Sequence, residues 1–260
     1  MIEQINALIS RIRDEKPLIL NITNAVTMDF IANGLLSLGA SPIMSQAEEE
    51  LDDLIRISSA VVINIGTLNE SFIQLATRTM QIANQLDKPI IFDPVGAGAS
   101  RYRTDTTMKL LCKNKVAIIR GNAGEILAIA GEAAATKGVD SIAKSDAVID
   151  QAKKVSSEFS ATILMSGKTD VVIENNQLEL FDRGSDLMPT ITGSGCLLTA
   201  VVAAFHAVEK NRFLAASTAA VFYGVCGEIA ATCSSHPGSL KPVFIDALKQ
   251  PYEKTCYEKK

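Results

Sequence analysis

The sequence predicts an α/β fold, a mostly parallel central sheet with helices on both faces, and three observations carry that expectation. Short apolar runs alternate with longer segments of helical spacing, the signature of strand–helix–strand units. The runs, such as 60–65 (AVVINI) and 89–93 (PIIFD), are continuous rather than alternating, as in strands covered on both faces. No linker, internal repeat or low-complexity stretch interrupts them, so residues 1–260 read as a single domain, long enough for one well-buried core.

The elements follow in order. Residues 17–21 (PLILN) read as a buried strand ending in the polar turn Asn21-Ile22-Thr23-Asn24. The spacing of Met28, Ile31, Leu35 and Leu38 predicts a helix over 27–38, closed by Gly39 as the residue beyond its last turn. A second short strand covers 41–44 and ends at Met44; Glu48-Glu49-Glu50 then opens a helix, with negative charge at the end the dipole prefers. The run 60–65 stops at Gly66 and 71–86 returns as helix. The strand 89–93 delivers Asp93 to its carboxyl end, and 115–120 (KVAIIR) delivers Arg120. Gly121-Asn122-Ala123-Gly124-Glu125 opens a helix through Ile129. A further strand, 162–166 (TILMS), ends in Gly167-Lys168-Thr169, and 170–173 with 177–181 flank Glu174-Asn175-Asn176 as a hairpin. A small-residue apolar helix starts near 194, and helices over 213–233 and 239–249 close the chain.

Composition excludes several classes. A net charge of −4 leaves no basic face for nucleic acid or an anionic membrane. No leader is expected after Met1 and no apolar run reads as long enough to span a bilayer; the expected location, a reducing cytoplasm, follows from the cysteine usage. Five cysteines (Cys112, Cys196, Cys226, Cys233 and Cys256), an odd set without CxxC spacing, argue against a disulfide framework or a zinc site. His206 and His236 are the only histidines, too few for a histidine-based metal site.

Polar residues at the ends of parallel strands gather on one edge of the sheet, where open α/β folds bind ligands. The stretch the chain is organised around is PTITGSGCLLTAVVAAFHAVEK, residues 189–210. Gly193, Ser194, Gly195 and Cys196 open a helix whose first N–H groups lack internal partners, a ready cradle for phosphate. The same field is expected to lower the Cys196 thiol pKa. The plainer reading is an N-cap by Thr192 or Ser194 and a structural cysteine. Asp93 and Glu125 suit Mg²⁺ held through water against phosphates, or else serve as helix caps and ion-pair partners. Arg120 offers a planar fork for phosphate oxygens, or an ion pair with Asp93 or Glu125. Gly167-Lys168-Thr169 lacks the upstream glycine of a P-loop and leads into a strand; it is a turn that either approaches a nucleotide or is a plain β-turn. Gly96-Ala97-Gly98 is too short for a dinucleotide fingerprint.

Together, NITNAVTMDFIANGLLSLGASPIMS, FDPVGAGAS with RYRT, IIRGNAGEI and ITGSGC resemble the hydroxyethylthiazole kinases of thiamin salvage, within the ribokinase-like superfamily, over essentially the whole length. The resemblance implies a ribokinase-like three-layer fold and ATP-dependent phosphorylation of the alcohol of 4-methyl-5-(2-hydroxyethyl)thiazole. It implies Cys196 where the superfamily at large carries an aspartate base, in an anion hole of Gly193, Ser194, Gly195 and Cys196. Asn122 to Glu125 match the superfamily's NxxE pattern, with Glu125 and Asp93 organising Mg²⁺. Arg120, Ser166 and Asp93 would face ATP, and Met44, Gly193 and Asn24 the thiazole. Ser166 and Ser194 stand where threonine is common in the family, and both keep a hydroxyl. A homotrimer with the site between subunits is implied as well. Three other readings share the fold: an ATP-dependent dehydratase, a hydroxymethylpyrimidine kinase and a non-catalytic binding module.

Overall fold

The computed structural model describes residues 1–132 and 146–250. Among the described residues, eight strands form one sheet in the order β2-β1-β3-β4-β5-β6-β7-β8. They are β1 (Leu18–Ile22), β2 (Ser41–Met44), β3 (Ala60–Asn64), β4 (Ile90–Asp93), β5 (Ile118–Asn122), β6 (Thr162–Ser166), β7 (Asp170–Glu174) and β8 (Gln177–Phe181). Strands β2 to β6 run parallel, and β7 and β8 add antiparallel at one edge. The two-residue turn between β7 and β8 is the expected hairpin, with Asn175 at φ 53°, a left-handed value that asparagine tolerates.

Successive residues of each central strand point to opposite layers. In β3, Ala60 and Val62 join one core, and Val61 and Ile63 the other. The first core is covered by α1 (Ile2–Glu15), α2 (Met28–Leu38), α8 (Ser194–Val208), α9 (Arg212–Cys233) and α10 (Pro237–Lys249). The second is covered by α3 (Leu51–Ile57), α4 (Glu70–Gln85), α5 (Arg101–Leu111), α6 (Ala123–Ile129) and α7 (Asp146–Phe159). Because β3 is fully buried on both faces, its sequence is apolar throughout until Asn64.

Several elements depart from the sequence reading. Glu48–Glu50 form a separate 3₁₀ turn, and α3 begins only at Leu51. Helices α1, α5 and α7 were not anticipated. In α1 the signal was present: Ile5, Leu8, Ile9 and Ile12 recur at helical spacing and are all buried. In α5 it was weak, since the buried positions include Thr106 and Thr107, and the helix is marked chiefly by Ser100, whose side chain accepts from the Arg103 N–H. Helix α9 is also long and apolar enough, by length and composition, to cross a membrane, contrary to the sequence reading; here 83% of its most apolar window is buried within the fold.

The sheet order reverses at β1: the chain goes first to β2 on one side and then to β3 on the other. Such a switch point opens a crevice at the carboxyl ends of the strands. In register, Asn64 on β3 lies beside Asp93 on β4, and Asn122 on β5 beside Ser166 on β6. Met44 ends the edge strand β2 beside Asn21 of β1.

Candidate active site

Helix α8 begins at this edge. Its N-cap is neither Thr192 nor Ser194 but Gly193, at φ 90°, where a side chain would also bring its Cβ to 2.5 Å from Thr27 Cγ2. The Ser194 N–H donates to the Ile191 carbonyl at 3.3 Å, whereas those of Gly195 and Cys196 have no acceptor among the described residues. Tyr223 pins the turn from below, its hydroxyl donating to the Ser194 carbonyl at 2.6 Å. The two open N–H groups and the dipole of a 15-residue helix face the crevice.

Arg120 lies directly across that turn: a Cβ on Gly195 would fall 2.5 Å from Nη1 and 2.8 Å from Nη2. Its Nη2 donates to Ser166 Oγ, and Nη1 stands 3.8 Å from Asp93 Oδ2. Of the alternatives for Arg120, Asp93 is therefore the ion-pair partner. Asp93 itself is wholly buried, and Oδ2 accepts from Asn64 Nδ2 and from Thr199 Oγ1, each at 2.7 Å. Burial raises its pKa to about 6; the Arg120 charge opposes the rise, Glu125 adds to it, and the two hydrogen bonds hold it down.

Cys196 is half-buried one turn before Thr199. The expected lowering of its thiol is not found. Burial pushes the pKa above the usual thiol value and the Asp93 charge pushes it further, outweighing the amides of Asn64 and Asn24 and the Arg120 charge. Asn24, in the turn after β1, donates from Nδ2 to Cys196 Sγ at 3.3 Å and to Asn64 Oδ1 at 2.9 Å. Met44 packs against the same apolar core as Cys196.

Glu125 is the third residue of α6 and closes a capping box with Asn122: its Oε2 accepts from the Asn122 N–H at 2.7 Å while Asn122 Oδ1 accepts from the Glu125 N–H at 2.9 Å. Its Oε1 accepts from the Gly96 N–H at 2.8 Å, fastening the Gly96-Ala97-Gly98 loop to the same spot. Both carboxylate oxygens are thus already in use, Asp93 Oδ1 has no partner, and no cluster of three or more His, Cys, Asp or Glu able to hold a metal occurs among the described residues. This donor set fits a hard cation held largely by water and phosphate oxygens beside two carboxylates, and not a closed protein cage.

The structure brings Asn24, Asp93, Arg120, Glu125, Ser166 and residues 193–196 to one edge, with Asp93 behind the surface and Arg120 in front of it. Asn64 and Thr199, which join Asp93 to Asn24 and to α8, were missed, although Asn64 follows the rule that pointed to Asp93: a polar residue closing a buried strand. So was Asp170, buried beyond Gly167, whose N–H donates to its Oδ1 at 3.1 Å. The Gly167-Lys168-Thr169 segment is a turn into antiparallel β7. His206 lies in the last turn of α8, Nδ1 2.9 Å from the Glu209 carbonyl, away from the site. Cys226 is buried, Cys112 and Cys233 are exposed, and Cys256 lies outside the described residues.

The hydroxyethylthiazole kinase family model matches residues 9–253. The chain belongs to the hydroxyethylthiazole kinase family. A hydroxyethylthiazole kinase from Desulfotalea psychrophila is 40% identical over 252 residues, covering 95% of this chain and 92% of that protein. The solved structure of a hydroxyethylthiazole kinase from Pyrococcus horikoshii superposes with a TM-score of 0.86 at 38% identity, covering 95% of this chain and 93% of that one. A ribokinase-like superfamily protein from Enterococcus faecalis matches at TM-score 0.63 and 11% identity, over 89% and 86% of the two chains, a likeness of fold alone. Membership makes this chain a kinase: it phosphorylates the alcohol of the hydroxyethylthiazole in thiamin salvage, with ATP as the phosphoryl donor of its class.

Proposed function

We propose that the carboxyl-edge site transfers the γ-phosphoryl group of Mg·ATP to 4-methyl-5-(2-hydroxyethyl)thiazole through the residues assembled on α8. The observation that carries this reading is the pairing of two uncovered N–H groups, of Gly195 and Cys196, with a guanidinium lying over them. Phosphoryl transfer demands chiefly positioning and charge stabilisation, which that pair supplies.

In this mechanism the Gly195 and Cys196 N–H groups, with Gly193 and Ser194 completing the turn, hold the oxygens of the transferring group. Arg120, steadied by Ser166, offsets its negative charge. Asp93 and Glu125 would hold Mg²⁺ through water, and the ion, when bound, supplies further charge against the phosphates. Asn24, Met44 and Gly193 hold the thiazole so that its alcohol oxygen approaches the phosphorus beside Cys196. Since the thiol pKa is raised, Cys196 is largely protonated at neutral pH, and its help as a base is limited to a minor thiolate fraction.

The single domain acts in the cytoplasm as a homotrimer, with the thiazole between Met44 of one chain and the Gly193 loop of the next. The exposed Val26 and Leu36, on the turn before α2 and on α2 itself, support a subunit contact there. Neither a membrane nor nucleic acid is a partner. ADP release with Mg·ATP, measured with the thiazole alcohol, with hydroxymethylpyrimidine and with no acceptor, tests the substrate. Turnover with the thiazole alcohol alone is expected, and a preference for the pyrimidine would move the assignment. Solution mass at three times that of the chain is the expected result for the assembly, and a monomer would overturn it.

A further inference from the structure

A chain of amides links Asp93 to Cys196, and Asp93 together with the Gly66 N–H fixes every amide along it. Asn64 is fully buried at the end of β3. Its Nδ2 meets the Asp93 carboxylate at 2.7 Å, and an ionised carboxylate only accepts. Its Oδ1 meets the Gly66 N–H at 3.0 Å, and a backbone N–H only donates. Either contact alone would set the orientation of the Asn64 amide, and they agree. Asn64 Oδ1 therefore also faces Asn24, which must turn its own Nδ2 toward it at 2.9 Å. That same Nδ2 reaches Cys196 Sγ at 3.3 Å. The Asn24 carbonyl oxygen is left at the opposite end of its amide, and no side-chain hydrogen bond to it forms among the described residues. Gly66 limits Asn24 from another side: a Cβ there would fall 2.8 Å from Asn24 Cβ and 2.9 Å from its Nδ2.

We propose that Asn64 is a positioning residue for the transfer: with Gly66 it fixes the Asn24 amide so that the N–H end meets Cys196 and the carbonyl end accepts the hydrogen bond of the substrate alcohol. The inference rests on the kinase reading above and assigns a role to Asn64 and Gly66, which that reading does not use. An acceptor aimed at the alcohol hydrogen orients the oxygen lone pair toward the phosphorus. A flipped amide would present N–H to the hydroxyl instead and turn it away. Burying the Asn64 amide between an obligate acceptor and an obligate donor denies the flip, because each misplaced end would leave a buried group unpaired. Asn64 needs no contact with substrate to do this.

The test is a kinetic cycle on the full-length enzyme, with kcat and KM for the thiazole alcohol and for ATP measured in Asn24→Ala, Asn64→Ala, Gly66→Ala and the Asn24→Ala/Asn64→Ala pair. Gly66→Ala displaces Asn24 without touching Asp93, and replaces Asn64→Ala in the cycle should that variant not fold. Asn64→Ala and Gly66→Ala are each expected to lower kcat/KM for the alcohol by about tenfold to a hundredfold, as misplacements of this kind do. In Gly66→Ala, which leaves Asp93 untouched, the KM for ATP stays within about twofold, and for the alcohol the double variant is no slower than Asn24→Ala alone, as expected of residues acting through one group. Multiplying effects in the double variant, a Gly66→Ala KM for ATP that rises as much as that for the alcohol, or a Gly66→Ala enzyme equal to wild type would each overturn the assignment. Wild-type enzyme without thiazole-dependent turnover would instead overturn the kinase reading itself.

Discussion

The Arg120 guanidinium lies across the first turn of α8 so closely that a methyl group on Gly195 would fall 2.5 Å from its Nη1. Arg120, projecting from β5, thus spans the gap between Ser166, Asp93 and the open N–H groups at the start of α8. Arg120→Lys keeps the charge but cannot span Ser166 and Asp93 with a planar fork. It is expected to lower kcat/KM about 10²–10³-fold, the scale of losing one preorganised donor to a developing charge. Wild-type kinetics in that variant would remove Arg120 from the phosphoryl site.

Cys196 presents a milder case. With its thiol raised by burial, most of the rate comes from charge and positioning, so Cys196→Ala is expected to lose about 10²-fold in kcat, the low end of general-base effects. Cys196→Asp, which places a carboxylate where the thiol stands, is expected to retain activity. Steady-state ADP release checks both. An inactive but folded aspartate variant would contradict the placement of the alcohol beside residue 196.

Asp170, with Asp93, contributes to the dependence of stability on pH. Burial raises its pKa from 3.8 to about 7, against the Gly167 N–H and the Arg120 charge. The folded chain therefore holds this proton more tightly than the unfolded chain. Its contribution is complete below about pH 4 and is lost as pH rises through about 7. Thermal melts from pH 4 to 8 in wild type and Asp170→Asn check this: the variant should show a shallower fall of Tm over that window. Equal slopes would mean that Asp170 does not titrate as its burial dictates.

Magnesium removal should separate activity from stability. With both Glu125 oxygens taken by N–H groups and no cluster of three or more metal-binding side chains among the described residues, the Mg²⁺ proposed above would depend on the phosphates. A chelator is expected to abolish turnover and leave the Tm of the nucleotide-free protein unchanged. A large drop in that Tm would reveal a structural metal.

The central strands were legible because burial on both faces forces a continuous apolar run, as in β3 and β4. Helices marked by apolar spacing, such as α2, were equally legible, but α5 hides its face behind Thr106 and Thr107. At the site, single residues at strand ends were readable one by one: Asp93, Arg120 and Ser166 all close or nearly close a strand. What they do to one another was not. The state of Cys196 depends on burial and on Asp93, and the two meet only when α8 packs on the sheet. The role of Asn64 is likewise invisible in AVVIN, since it comes from partners on β4 and in the turns at Asn24 and Gly66.

The most direct test of the site's location is ADP release with saturating thiazole alcohol and Mg·ATP by Gly195→Ala beside wild type. Alanine suits a helix, so the fold should hold and the Tm should not fall. Its methyl must push Arg120 off the first turn of α8. The account predicts loss of turnover by about 10²-fold or more with unchanged Tm. Wild-type turnover in this variant would contradict the claim that phosphoryl transfer occurs between Arg120 and the start of α8.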